Sequence, residues 1–524
     1  MNKFKIFNQP AAHLVIIALI SILFGAGMQS IIGIGQFLPG FFAGTVLLFF
    51  ASCLLYFAWR YAGKGKLLVI VMMLAFIVRV VYSVFLFWGL PQYGYETFTQ
   101  RAGFVYEDAF RRERHAWDLA NSEGPIAQAF QDVYETDQYG GLLALSAFVY
   151  RYISPDAFRP YLISILAAAA MSLSIAFLMA ALKTRFPTNA ANWAGWILAL
   201  YPEGILLSAS QMREPFIILL FTVLFWAVMN LIHGRISKLS ILSVILSALF
   251  LMAFSFRVGG LIIGFMVSFV WVVISPKIPR LWVRITGWIL MVVALGIAFW
   301  AIRDWMSEVI QWDALMTVSR SGRIQFQLSE LPEFLHFPFI FIYGLLQPVL
   351  PAAVAAPAPW IWQSLGIFRA LGWYLMLPTL FYAIIQLWRL KPSMTKRILL
   401  ALTILVLAAI FIASARAGGD QWDNPRYRTA FLPWMAIISA WAINHACVTK
   451  DRWLARGFAI EGIFILVFTQ WYLSRYYRFM PRLNLWLNVG SILILSLAII
   501  IFGWVKDRKR YQLTEKNDYS GQEK

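Results

Sequence analysis

The chain is poor in cysteine, histidine and charge. Cys53 and Cys447 are the two cysteines among 524 residues, which excludes a disulfide framework and a cysteine-ligated zinc site. His13, His115, His233, His336 and His445 are scattered without metal-ligand spacing. Serine and cysteine lack the His/Asp context of nucleophilic hydrolases, and there is no P-loop or other nucleotide motif. Charged residues make up 13% of the chain, where a soluble domain carries about 25%. Acids are the scarcer sign: 25 Asp+Glu stand against 44 Lys+Arg, a formal net charge of +19. No internal repeat, low-complexity tract or soluble domain is visible.

What the sequence does have is apolar length: 61% of residues are apolar and 17% aromatic. A membrane-spanning helix needs about 20 such residues in succession. About fourteen runs qualify: 12–33, 38–59, 67–90, 158–182, 191–208, 214–232, 238–254, 258–275, 281–301, 364–389, 397–415, 429–447, 457–474 and 484–505. The fold class that follows is an all-α polytopic membrane protein with about 14 transmembrane helices. The first run follows Lys3 and Lys5 as a signal peptide would, but it is long and lacks a small-x-small cleavage site, so it reads as a retained helix. Segment 335–362 is apolar yet broken by Pro338, Pro348, Pro351, Pro357 and Pro359. It reads as a re-entrant or surface-lying element, because irregular backbone at membrane depth must be satisfied by protein or water.

Sidedness follows from the lysines. With the N-terminus inside, the cytoplasmic loops are 60–66, 183–185, 235–238, 277–284, 389–397 and 450–456, with the tail from 506 to 524, and all 14 lysines fall in these or the termini. Together with the N-terminal Lys3 and Lys5, these segments hold 25 Lys+Arg against 5 Asp+Glu, which leaves 19 basic and 20 acidic residues outside or embedded. The surplus charge is thus the positive-inside signal rather than a mark of nucleic-acid binding. The expected location is a cell (plasma or inner) membrane, with both termini cytoplasmic, membrane lipid as a constant partner, and any chemistry on the extracytoplasmic side. The domain reading is two N-terminal helices (1–66), a core (67–447), two C-terminal helices (448–505) and a basic tail (506–524).

Two expected outer loops, 92–157 and 302–334, are long enough to build a site. The first is dense in charge, including Glu107, Asp108, Arg111, Arg112, Glu113 and Arg114, then Asp132, Glu135 and Asp137. Residues 104–120 have helical spacing, with Phe104, Ala109, Phe110, Trp117 and Ala120 as an apolar stripe, and 141–153 forms a second amphipathic helix. The alternative for the charges is a solvated helix laced by i,i+3 and i,i+4 pairs. Arginines mark predicted outer helix ends at Arg213, Arg257, Arg426 and Arg428. Arg79 lies deeper, where intramembrane charge calls for a partner such as Glu214 or a polar cavity.

The order of these motifs resembles the GT-C glycosyltransferases, polytopic enzymes that use polyprenyl-phosphate sugars, in particular the protein mannosyltransferase and aminoarabinose transferase branch. The resemblance runs through Arg79, Tyr106-Glu107-Asp108-Ala109-Phe110, Ala116-Trp117-Asp118-Leu119-Ala120, Asp137-Gln138-Tyr139, Ala199-Leu200-Tyr201-Pro202, Arg213-Glu214-Pro215 and Asn424-Pro425-Arg426-Tyr427-Arg428, over roughly residues 67–447. It implies a GT-C-like fold and transfer from a polyprenyl-phosphate donor to a glycan, lipid or protein acceptor. A carboxylate is needed to take the acceptor's proton and cations to neutralise the departing phosphate. Asp108 is the preferred base and Glu107 the alternative, since neighbours on a helix point about 100° apart. Arg213, Arg257, Arg426, Arg428, Arg79 and Tyr201 are the donor-binding candidates. Asp137 and Glu214 are further acids, available as a second acid or metal ligand. No cofactor is demanded; the acids permit a divalent cation without requiring it. A polymerase or ligase of lipid-linked glycans, and a glycolipid flippase or transporter, are the competing readings.

Overall fold

The computed structural model describes residues 10–131, 140–294, 296, 300, 328–329, 331–477 and 481–521. Among these residues the protein is all-α, with no strand. The chain opens with three long apolar helices, α1 (Pro10–Ile32), α2 (Phe37–Tyr61) and α3 (Lys66–Tyr93). The first long loop then folds into α4 (Phe98–Arg101), α5 (Glu107–Asn121), a short 3-10 turn (Ile126–Phe130) and α6 (Gly141–Tyr152). Next come α7 (Tyr161–Leu182), α8 (Thr188–Leu200), α9 (Pro202–Ala209), α10 (Glu214–Ile232), α11 (Lys238–Phe254) and α12 (Phe256–Ile274). After α13 (Leu281–Ala294) the described chain resumes with α14 (Glu333–Leu346), α15 (Leu350–Ala355), α16 (Trp360–Arg389) and α17 (Met394–Ala417). The last elements are α18 (Asp423–Thr429), α19 (Leu432–Thr449), α20 (Trp453–Tyr476) and α21 (Leu485–Gly521).

The apolar composition produces a polytopic membrane protein: ten of these helices are long and apolar enough to cross a bilayer, or eleven if α18 and α19 count as one bent span. The expected span at 191–208 corresponds to two shorter helices, α8 and α9, whereas 238–254 is matched at its expected bounds by α11. Run 191–208 is divided because Pro202 has no N–H to continue α8 and instead opens α9. Helix α11, at 17 residues, is shorter than the ten spans, and of the expected span 281–301 the structure describes Leu281–Ala294, Gly296 and Trp300, all helical. Segment 335–362 is broken into α14, α15 and the start of α16, with Pro348 in the first break and Pro357 and Pro359 in the second, while Pro338 lies inside α14 and Pro351 in the first turn of α15. The expected loop helices appear at almost the expected bounds, as α5 and α6.

Helix α7 is the centre of the bundle. It packs on α2, α3, α8 and α10, and 83% of its most apolar window is buried, against 11% for α20 and 6% for α21 at the rim. The reason is in its residues. Ser164, Ala167, Ala168, Ala169, Ala170, Ser172 and Ser174 are all buried on α7, and small side chains let neighbouring backbones approach where lipid gives no hydrophobic drive to associate. The loop below is pinned by Arg159, which is fully buried. It holds both Asp156 carboxylate oxygens at 2.6 and 2.7 Å and donates to the Ile34 and Gln36 carbonyls at 3.0 Å each. This ties the α1–α2 turn to the α6–α7 turn.

Candidate functional site: an acid beside an arginine cleft

Helix α5 begins after Tyr106, whose backbone is extended, and places Glu107 and Asp108 in its first turn, where negative charge favours the helix dipole. The two acids diverge as adjacent helical residues must: Glu107 is exposed, whereas Asp108 turns inward. Its Oδ2 accepts from Arg426 Nη1 at 2.7 Å, and Arg426 Nε donates to Glu214 Oε1 at 2.6 Å. Asp423 Oδ1 lies 3.8 Å from the same Nη1. One guanidinium thereby joins the first long loop, the start of α10 and the short helix α18. Burial pushes the Asp108 carboxyl up, but Arg426, Arg112 and Arg213 together outweigh it and hold the group below the usual carboxylate range.

Beside this triad is a cleft of about 30 Å³ lined by Arg213, Glu214, Arg257, Arg416, Arg426 and Tyr427, with Ile217, Val258 and Ala430 as its apolar wall. Each cation arrives from a helix end. Arg213 precedes α10, Arg257 lies in the first turn of α12 after the Ser255 cap, Arg416 closes α17, and Arg426 sits in α18. Arg416 stacks over the Tyr427 ring at 4.2 Å. Four guanidinium groups with one carboxylate in the lining make a positive pocket, and the planar fork of arginine suits phosphate oxygens. The arrangement therefore places an ionised carboxylate beside an arginine-lined cleft through a shared arginine.

Of the sequence candidates, Asp108, Arg213, Glu214, Arg257 and Arg426 come together, and Arg428, Arg79 and Tyr201 lie elsewhere. Arg428 is fully buried, stacks 3.6 Å from the Trp373 ring and donates to the Gln347 carbonyl. Tyr201 is buried beside it. The expected partner of Arg79, Glu214, belongs instead to Arg426. Arg79 donates to the carbonyls of Ala75 at 2.9 Å, Ala199 at 2.7 Å and Leu198 at 3.1 Å. It does so because the break before Pro202 leaves the last carbonyls of α8 without helical donors. Asp132, Glu135 and Asp137 lie outside the described residues. Among the described residues no group of three or more His, Cys, Asp or Glu is disposed to hold a metal ion.

Three features of the structure escape a reading of the sequence. Arg416 in the cleft carries a weak signal, a charge closing an apolar run. Arg369 and Glu203, each an isolated charge in apolar surroundings, form a buried bidentate pair at 2.6 and 2.9 Å, with the guanidinium 4.1 Å from the Trp422 ring. Arg112 and Glu113 are buried rather than solvated, so the alternative of a charge-laced exposed helix fails for the central part of α5. Compared with known proteins, the chain matches no family profile, no curated protein and no solved structure.

Proposed function

We propose that the chain is a GT-C-type glycosyltransferase with about 14 transmembrane segments, moving a sugar from a polyprenyl-phosphate donor to a glycan, lipid or protein acceptor on the extracytoplasmic face. The observation that carries the reading is that Arg426 contacts Asp108 and lines the arginine cleft at once. A base and a phosphate site are then one side chain apart, the spacing a displacement at the sugar's anomeric carbon needs.

In this reading the donor phosphate lies among Arg213, Arg257, Arg416 and Arg426. The acceptor hydroxyl approaches the anomeric carbon from the opposite face, next to Asp108. As the new C–O bond forms, the hydroxyl proton passes to the Asp108 carboxylate. The bond between the anomeric carbon and the phosphate oxygen breaks with inversion, and its electron pair stays on polyprenyl phosphate, whose added charge the guanidinium groups neutralise. Glu214 holds Arg426 in place at 2.6 Å, so the cation faces the cleft before the donor arrives. The activation in the donor's phosphate bond drives the reaction without nucleotide.

The test uses purified full-length protein in lipid nanodiscs, a radiolabelled panel of polyprenyl-phosphate hexoses and pentoses, and host membrane extract as the acceptor source, without ATP. Label should move to acceptor, and Asp108→Asn should slow transfer by about 10²-fold or more, the usual contribution of a general base. Glu107→Gln, altering an exposed side chain, should retain most of the rate. Full turnover in the Asp108→Asn, Glu107→Gln double variant would refute the assignment. A ladder of products from a lipid-linked oligosaccharide would favour a polymerase, and movement of the lipid across proteoliposomes with no covalent product would favour a flippase.

A further inference from the structure

The corner between α9 and α10 holds a strained residue next to the cleft. Gln211 has φ of +51°, a left-handed conformation that costs energy for a residue with this side chain. Such strain persists where the surroundings over-determine it. Here the surroundings are specific: Gln211 Nε2 donates to the Ser164 hydroxyl of α7 and to the Ala209 carbonyl at 3.3 Å. The Gln211 carbonyl accepts from Arg112 Nη2 of α5. Two residues further on, the same corner delivers Arg213 and Glu214 to the cleft.

Arg112 stands one helical turn after Asp108, on the same side of α5. Glu113 braces it, with Oε1 at 3.4 Å from Nε and 3.2 Å from Nη2. Glu113 is itself fixed to α6 by the Ser146 hydroxyl at 3.0 Å and the Tyr150 hydroxyl at 2.5 Å. Both charges are removed from solvent, Arg112 with 3% and Glu113 with 0% of the side chain exposed. A buried ion pair is a weak source of net stability, and neighbours in a helix do not face one another along its surface. What this pair does accomplish is geometric. It aims the guanidinium of an α5 residue at one backbone carbonyl of the α9–α10 corner.

We propose that Arg112 is a positioning residue, clasping α5 to the Gln211 corner so that Asp108 and the Arg213–Glu214 edge of the cleft keep a fixed separation. Its catalytic meaning rests on the transferase reading, whereas the clasp itself is a structural claim that stands or falls separately. Arg112→Gln alone strands Glu113 and can unfold the loop, so the working variant is Arg112→Gln with Glu113→Gln, which removes both charges and leaves two neutral amides; Arg112→Lys is the conservative control. Two readouts are taken on full-length protein in nanodiscs: amide hydrogen exchange over 207–216, and transfer kinetics against donor concentration. The double variant should raise exchange at the corner by about tenfold or more, since local opening there would lose its clasp. It should lower kcat by about 10²-fold, the cost of a misplaced catalytic group, with a smaller change in the donor KM. Arg112→Lys, still able to reach the Gln211 carbonyl, should recover most of both. Unchanged exchange at 207–216 in the double variant overturns the clasp, and a loosened corner with wild-type kcat overturns its positioning role. Loosening on schedule in a protein that transfers no sugar supports the clasp and overturns the transferase reading instead.

Discussion

Replacing Arg426 with glutamine leaves Glu214, whose side chain is 6% exposed, without the guanidinium that lies 2.6 Å from it. In such a contact the charge centres are about 4 Å apart and attract by about 4 kcal/mol at an effective dielectric constant near 20. The folded protein has already lost the hydration of Glu214, so stranding that carboxylate costs about 3–5 kcal/mol. Asp108, with 36% of its side chain exposed, adds at most about 1 kcal/mol, because solvent screens it. Glu214→Gln is milder, about 2 kcal/mol, since Arg426 keeps Asp108 as a partner. The double variant buries two neutral amides and should cost well under the sum of the single changes, leaving a coupling of about 2–3 kcal/mol. Reversible unfolding of the four proteins by sodium dodecyl sulfate in mixed micelles, followed by tryptophan fluorescence, measures this cycle directly. Single costs that add within about 0.5 kcal/mol would mean that the two groups do not act as a pair, and the triad joining α5, α10 and α18 would be wrong.

Other outcomes follow from the same contacts. The folded-state value of Asp108 is depressed, so its ion-pair stability is complete above the ordinary carboxylate value of about 3.9 and is lost as pH falls through the depressed value. The transfer rate should therefore show no acid limb between about pH 5 and 8, and Arg426→Gln should move that limb upward; a wild-type limb above about pH 5 contradicts the assignment. Arg369→Met alone isolates Glu203, a side chain with 1% exposure, and should cost about 3–5 kcal/mol in the micelle titration, most of it recovered by adding Glu203→Leu. Gly35 has φ of +68° and an added Cβ would lie 2.6 Å from Ala157 Cβ and 2.7 Å from Arg159 Nη2, so Gly35→Ala should destabilise by about 2–3 kcal/mol; a loss below about 0.5 kcal/mol would show that the α1–α2 turn yields freely.

Much of the architecture is legible in the sequence, because apolar length and helical periodicity are local properties. The 104–120 stripe became α5 (Glu107–Asn121) and 141–153 became α6 (Gly141–Tyr152). Run 191–208 shows where this logic stops: hydropathy counts apolar side chains, and the division at Tyr201-Pro202 depends on which carbonyls find donors, here supplied by Arg79. In the candidate site, helix geometry sends Asp108 toward Arg426 and leaves Glu107 exposed. The pairings were hidden because they are long-range. Arg426 meets Asp108 across 318 residues and Arg369 meets Glu203 across 166, and no spacing rule reaches so far. Arg112 and Glu113 look solvated in sequence because their burial is imposed by α6 and the Gln211 corner.

The seven-residue helix α18 meets α19 at 75°, and it sends Arg426 toward the cleft and Arg428 against Trp373. Residues two apart on a helix differ in direction by about 200°, so this segment works as a two-position selector in which phase, rather than composition, assigns each arginine its neighbourhood. Shifting the phase by one residue turns every side chain by about 100° and leaves neither guanidinium on its present partner. The segment should then reject any change of length, the opposite tolerance from that of an ordinary connecting loop.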